Sequence, residues 1–292
     1  MSIVSCREML LAATAERYAV GAFNVTSIIQ MEAVVEAAVQ KRAPLILQTS
    51  VTPARFLGPE VIVAAYRAVA SRAPIPIALH LDHCTDVVFC KRCVDAGYTN
   101  IMIDGSQLDF EGNVRVTREV ADYAHRREGV SVEGEVGTVS GVEDQVKVAE
   151  DASKLCDPNR AEEFVSRSGV DLFAPAIGTA HGVYKTENPR IDFDRLGRIA
   201  EILNGRGPRV PLVVHGGTGL KAEVVRKLVS LGGCKFNVST ELKHVLLDTT
   251  WSYLSAHRDE YDPGKLDRAT STAITGAVGV WIDLLGSAGK AV

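Results

Sequence analysis

"IALHLDHC", residues 77–84, begins as a buried strand and ends in groups that bind protons and metals. Ile77, Ala78 and Leu79 are apolar, whereas His80, Asp82, His83 and Cys84 crowd proton- and metal-binding groups into five positions. Ionisable groups are costly to bury unless something compensates them. A strand that finishes this way reads as one that delivers side chains to a site. The pattern around it decides the fold.

Seven more short β-rich runs follow the same style. They are "AVGAFNV" near 19–25, "PLILQTS" near 44–50, "TNIMIDGS" near 99–106, "GVSVEGEVG" near 129–137, "VDLFAPAIG" near 170–178, "VPLVVHGG" near 210–217 and "GCKFNVST" near 233–240. Between them lie stretches such as "SIIQMEAVVEAAVQKR" and "AEVVRKLVSLG", whose apolar residues recur at helical spacing. Apolar strands alternating with helices predict a parallel sheet covered by helices. Eight such units predict a (β/α)8 TIM barrel. An open doubly wound sheet would want a Gly-rich phosphate loop after its first strand. Here that strand runs into "AFNVTS", with no such loop.

The bulk numbers agree with one barrel domain over 1–292. The 292 residues suit a single α/β barrel. A net charge of −4 gives no basic footprint for nucleic acid or an anionic membrane. The six cysteines are scattered and form no disulfide framework, and the pair Cys90 and Cys93 reads as reduced helix cysteines. No apolar run reaches the length of a membrane span. The N-terminal stretch lacks the basic region of a secretory signal, so a cytoplasmic protein is expected. Two features break the repeat: a long polar loop at about 137–159, expected to be a mobile lid, and a C-terminal helical extension.

In a barrel, chemistry gathers at the C-terminal ends of the strands. Those ends carry Asp82-His83, Asp104, Glu133 and Glu135, His181 beyond Gly178, His215-Gly216-Gly217, and Asn237 with Ser239 and Thr240. Taken singly, each histidine reads as a hydrogen-bonded structural residue. His83, His181 and His215 are three of only seven histidines, and together at one mouth they read as ligands of a catalytic zinc with an open position. His80 is three residues before His83. In a regular strand the two face opposite ways, so His80 is expected to be structural. Asp82 reads either as a general acid or base or as a partner orienting a ligand imidazole. Asp104 and Glu135 read as a second metal position or as ion pairs; Glu133 shares a face with Glu135, and spacing leaves open which of the two lies deeper and which reaches the metal. "HGGTGL" at 215–220 and "NVSTEL" at 237–242 place Gly217, Thr218, Ser239 and Thr240 where barrels bind phosphate, at a helix N-terminus.

The motifs "LHLDH" (79–83), "MIDGS" (102–106), "VEGEVGTVSGVED" (132–144), "PAIGTAHGVYK" (175–185), "VVHGGTG" (213–219) and "FNVST" (236–240) resemble the class II, zinc-dependent fructose- and tagatose-bisphosphate aldolases. The resemblance covers about residues 3 to 265, in the same order. It implies zinc on His83, His181 and His215, with a second metal position at Asp104 and Glu135. It implies that Asp82 carries the C4 hydroxyl proton of a ketose and that Glu143, on the loop, moves the proton on the dihydroxyacetone-phosphate carbon. Asn237 matches the residue that helps hold a zinc-stabilised enediolate. Gly182, Gly216, Thr218, Ser239 and Thr240 match the region of phosphate and of a monovalent cation such as Na+ or K+. Asn24 and Ser50 match further substrate contacts. A homodimer or homotetramer is implied as well.

One departure stands out. Bisphosphate-cleaving members often carry "DPR" near the C-terminus, its arginine on the distal phosphate. This chain has "DPGK", with Gly264 at that place. Arg55, Arg190 or Arg268 would have to substitute. The expected activity is therefore reversible cleavage of a phosphorylated ketose, of the fructose or tagatose 1,6-bisphosphate type, to dihydroxyacetone phosphate and an aldehyde. The competing readings are the same chemistry on a ketose without the distal phosphate, a zinc hydrolase, and a phosphosugar-binding protein. Lys235, near the last strand, is a weak candidate for a Schiff-base lysine.

Overall fold

The computed structural model describes residues 2–139, 141–143, 146–148, 154–182, 184, 186, 189–207 and 209–291, with the backbone alone at 142–143 and 146–148. Ten strands are present among them: β1 (Val20–Asn24), β2 (Leu45–Ser50), β3 (Ile77–Cys84), β4 (Asn100–Ile103), β5 (Ser131–Val136), β6 (Gly141–Glu143), β7 (Val146–Val148), β8 (Leu172–Pro175), β9 (Leu212–Val214) and β10 (Gly233–Val238). The helices are α1 (Cys6–Glu16), α2 (Ile28–Lys41), α3 (Val51–Leu57), α4 (Pro59–Ala70), α5 (Val87–Ala96), α6 (Phe110–Ala124), α7 (Pro158–Ser168), α8 (Phe193–Asn204), α9 (Ala222–Ser230), α10 (Thr240–Ala256) and α11 (Pro263–Leu285). Eight strands close a parallel barrel in the order β1-β10-β9-β8-β5-β4-β3-β2. The (β/α)8 fold expected from the alternation is the fold observed.

Polar residues start the helices. Ser27, Asp86, Asp109, Asp157, Asp192 and Asp262 each occupy an N-cap and accept from an amide of the first turn. The barrel strands are buried on both faces, as a helix-covered parallel sheet must be. Their outward residues, such as Phe23, Leu47, Leu79, Leu81 and Ile101, pack against the helices. Their inward residues divide into two levels. At the N-terminal end Val20, Ala22, Ile46, Ala78, Leu172, Ala174 and Val213 form an apolar layer, and α1 closes that end with Cys6, Met9, Leu10 and Ala13. Above it the interior turns polar. Register places Asn24 beside Gln48, Gln48 beside His80, His80 beside Asn100 and Asn100 beside Ser131.

Several strands are shorter than their sequence runs, β4, β8 and β9 most of all. β8 and β9 stop at Pro175 and Val214, because Gly178 (φ 93°) and Gly216 (φ 68°) turn the chain into the left-handed region beyond them. The segment at about 137–159 is also not a plain loop. β6 and β7 pair antiparallel within it, Gly141 opposite Val148 and Glu143 opposite Val146. Residues 140, 144–145 and 149–153 of that expected lid lie outside the described residues.

The N-terminal plug yields a first expectation. Leu10 is fully buried at the closed end of the barrel. Leu10→Ala should lower stability by about 2–5 kcal/mol, the range for emptying a buried leucine site. Thermal or urea unfolding measures this, and a loss too small to resolve would show that α1 does not seal the barrel.

Candidate active site

His83, His181 and His215 come from three strand ends and meet at the mouth. One ring nitrogen from each lies within 4.8 Å of the others, the sole cluster of this kind among the described residues. The ring centroids are 4.5 Å apart for His83 and His215, 4.8 Å for His83 and His181, and 5.8 Å for His181 and His215.

The way His83 gets there corrects the sequence expectation. Regular alternation would turn His83 away from His80 and out toward the helices. Instead His83 adopts φ 45°, the register of β3 against β4 shifts between Leu81 and Cys84, and Cys84 joins the outer core. This left-handed residue reverses the phase of the strand at its last turn. His80 and Asp82 therefore share the interior with His83, His80 one level deeper. His80 still stands apart from the three-histidine cluster, now because of depth rather than facing. Its Nδ1 meets Asn100 Nδ2 at 2.5 Å, and Ser131 Oγ donates to Asn100 Oδ1 at 2.6 Å.

The candidate carboxylates surround the histidines. Asp104 Oδ2 lies 2.9 Å from His83 Nδ1, and its Oδ1 accepts from the Ser106 amide. Glu135 Oε2 is 2.8 Å from His215 Nδ1, and Glu133 Oε1 is 3.0 Å from His215 Nε2. The order of depth left open by spacing is resolved here: Glu133 is fully buried and Lys235 Nζ sits 2.9 Å from its Oε2. Asp82 is held by three amides. Asn237 Nδ2 donates to its Oδ1 at 3.0 Å, while Gln48 Nε2 and Asn24 Nδ2 donate to its Oδ2 at 2.9 and 3.3 Å.

Electrostatics follow from this packing. Burial alone would raise the Asp82 carboxyl, but His83, His80 and Lys235 hold it well below the usual range. Burial also opposes ionisation of Asp104 and Glu133, yet His83 with Ser106 keeps the first low, and Lys235 with His80 and His215 keeps the second low. Burial pulls His83 down, but Asp82 and Asp104 outweigh it and raise it well above the ordinary imidazole value. His215 is pulled down by burial and by His83, and is raised on balance by Glu133 and Glu135.

The phosphate candidates come together around the loops after β8 and β9. A Cβ on Gly216 would sit 2.4 Å from the Ala180 carbonyl oxygen, so only glycine lets these loops touch. Tyr184 Oη fastens them, donating to Gly216 O at 2.7 Å and accepting from the Ala180 amide at 3.0 Å. Gly182 (φ 85°) and Thr218 lie on the same two loops, and Gly217 packs beside Asn237. Ser239 occupies the N-cap of α10, yet its hydroxyl makes no capping bond; Oγ is buried without a partner. Thr240 opens that helix half-buried, and Ser50 ends β2 opposite Asp82. The Glu143 side chain lies outside the described residues; only its backbone in β6 is described. Of the three arginines considered for a distal phosphate, Arg55 is engaged by Asp86 at 2.6 Å and lies over the Phe89 ring, and Arg190 stands at the rim near Gly178. Arg268 Nη1 lies 4.0 Å from where a Cβ on Gly264 would be.

The family model described as "Fructose-bisphosphate aldolase class-II" matches residues 4–290. This chain belongs to the class-II fructose-bisphosphate aldolase family. The fructose-bisphosphate aldolase of Geobacillus stearothermophilus is 40% identical over 294 aligned residues, spanning 100% of this chain and 99% of its own. That of Staphylococcus epidermidis is 39% identical over 268, spanning 91% of each. The solved structure of the YdjI aldolase from Escherichia coli K12 superposes with a TM-score of 0.85 at 29% identity, covering 99% of this chain and 100% of that one. The protein is thus a class II aldolase, a carbon–carbon lyase, of a family that depends on a metal.

The residues of this aldolase fit a divalent cation. His83 Nε2 is buried without a hydrogen-bond partner, which is costly unless a ligand takes its lone pair. Because Glu133 engages His215 Nε2 deep in the barrel, Nδ1 is the nitrogen that faces the mouth. A carboxylate on the far nitrogen of a ligand imidazole is the usual support of such sites. Sequence reasoning missed the contacts made by Gln48, Tyr184 and Lys235. Gln48 had one available signal, as the first polar residue after the apolar run "LIL" in a strand expected to be buried.

A pH prediction follows from the raised imidazoles. Without metal, charged His83 and His215 contribute stability that is complete below the unfolded imidazole value and is lost as pH rises through their higher folded values. A metal needs them neutral, so its binding strengthens over the same interval. The rise in melting temperature on adding zinc should therefore grow as pH climbs above the ordinary imidazole value of 6.5. A rise independent of pH, read by differential scanning fluorimetry, would contradict the assignment.

Proposed function

We propose that this aldolase reversibly cleaves a ketose 1,6-bisphosphate of the fructose or tagatose type to dihydroxyacetone phosphate and an aldehyde. The carrying observation is the convergence of three imidazoles on one point beside the buried carboxylate of Asp82. In this reading His83, His181 and His215 hold one divalent cation, zinc by the preference of imidazole donors, with Asp104 and Glu135 as a second resting place. The cation supplies Lewis acidity at the ketose carbonyl and so stabilises negative charge on the adjoining carbon.

The chain's own residues manage the protons. Asp82 is ionised and held by three amides, so it is placed to take the C4 hydroxyl proton as the bond breaks. Glu143 then returns a proton to the carbon of the dihydroxyacetone-phosphate half, carried by the β6–β7 lid, whose closure excludes water. Asn237 steadies the oxygen that gains charge. Gly182, Gly216, Gly217, Thr218 and the unpartnered hydroxyl of Ser239, with Thr240, receive the phosphate and a monovalent cation; Asn24 and Ser50 contact substrate hydroxyls. The whole chain acts as one barrel domain, in a homodimer or homotetramer in the cytoplasm, within carbohydrate metabolism such as glycolysis.

Gly264 supports a second reading, in which the ketose 1-phosphate lacks the distal phosphate. Arg268 is the arginine that stands beside position 264, so it is the group a bisphosphate would need. Arg268→Ala should lower kcat/KM on the bisphosphate and leave a ketose 1-phosphate untouched.

Exchange of the carbinol proton of dihydroxyacetone phosphate in deuterated water, followed by NMR, tests the shared half of both readings. Stereospecific exchange abolished by a chelator is expected. Asp82→Asn should keep that exchange while cleavage of the ketose falls by about 10²–10⁴-fold, the usual worth of a positioned acid or base. Absence of exchange in the zinc-loaded protein would overturn the proposal and return a hydrolase or binding role.

A further inference from the structure

Lys235 is fully buried inside the barrel, a place where such folds normally stack aliphatic side chains. Its Nζ lies 2.9 Å from Glu133 Oε2, 2.8 Å from Asn237 Oδ1 and 3.5 Å from His80 Nε2. Burying an ion pair costs desolvation, and well-packed apolar residues of the same volume are often at least as stable. A stability role therefore does not account for the lysine. A covalent role does not fit either, since the ammonium is enclosed and committed to Glu133 and Asn237.

The contacts of Asn237 show what it does. Its amide has one accepting and one donating end. Asp82, ionised, only accepts; a lysine ammonium only donates. Lys235 on Oδ1 and Asp82 on Nδ2 therefore fix the amide in a single orientation. Neither partner alone prevents the side chain from swinging. Resting on the aldolase reading above, we propose that Lys235 is a positioning residue: it sets the Asn237 amide, and through it the Asp82 carboxylate, for the step that places charge on the dihydroxyacetone-phosphate half. The chain of contacts runs from Glu133, which holds His215, through Lys235 and Asn237 to Asp82. It thus ties a candidate metal ligand to the candidate base across the floor of the site.

The test uses the zinc-loaded full chain and dihydroxyacetone-phosphate proton exchange, which needs no knowledge of the aldehyde. Lys235→Met should lower the exchange kcat by about 10²-fold, the scale for misplacing one charge-stabilising donor. Its KM and zinc content should match wild type. Lys235→Gln keeps a neutral donor for Oδ1 and should recover most of the loss; it also serves if the methionine variant does not fold. In an Asn237→Ala background, Lys235→Met should cost no more than about twofold further, because the two act as one unit. Equal losses in Lys235→Met and Lys235→Gln, or losses that multiply with Asn237→Ala, would overturn the proposal. So would a Lys235→Met protein as fast as wild type. A wild-type protein without exchange would instead defeat the aldolase reading, a different and recognisable failure.

Discussion

Uncompensated negative charge at the barrel mouth is the constraint around which this protein is arranged. Asp82, Asp104, Glu133 and Glu135 are each no more than 5% exposed, and Lys235 is the one buried ammonium among the described residues. Carboxylates this deep cannot stay ionised without positive partners. In the metal-free arrangement His83 and His215 answer by rising toward the charged form. A divalent cation bound as proposed would supply the same balance and leave those imidazoles neutral. The same charge balance explains why His83 accepts a left-handed backbone, which costs roughly 1–2 kcal/mol in an L-residue.

The barrel supplies the means. Its lower interior is apolar and sealed by α1, so the polar groups are confined to the upper level and to one opening. Each strand contributes one or two of them, and the glycine turns after β8 and β9 bring His181 and His215 inward where a continuing strand would carry them past. The site is therefore a property of the ring as a whole. Gly216 packs against Ala180, and Tyr184 hydrogen-bonds to both, which joins two of the three histidine-bearing loops.

Much of this was legible before any coordinates. Alternating strands and helices are a local signal, and chemistry at strand ends follows from the fold, so the barrel and the three histidines could be read from residue type and position. What escaped has a common physical cause. The phase reversal at His83 is a single backbone angle with no residue signature, so a regular strand misplaced His80 relative to it. Lys235 touches His80 across 155 positions of chain and Glu133 from the far side of the barrel, contacts that exist only once the ring is closed. The free hydroxyl of Ser239 was hidden by its resemblance to an ordinary cap.

The central claim is that the three imidazoles complete the charge balance by holding one divalent cation. Anomalous diffraction at the zinc absorption edge, from crystals of the zinc-loaded protein, tests it directly. One strong peak within about 2.0–2.1 Å of a nitrogen of His83, His181 and His215 is expected, with the His215 contact through Nδ1. A peak elsewhere on the chain, or none at the barrel mouth at full zinc loading, would contradict it.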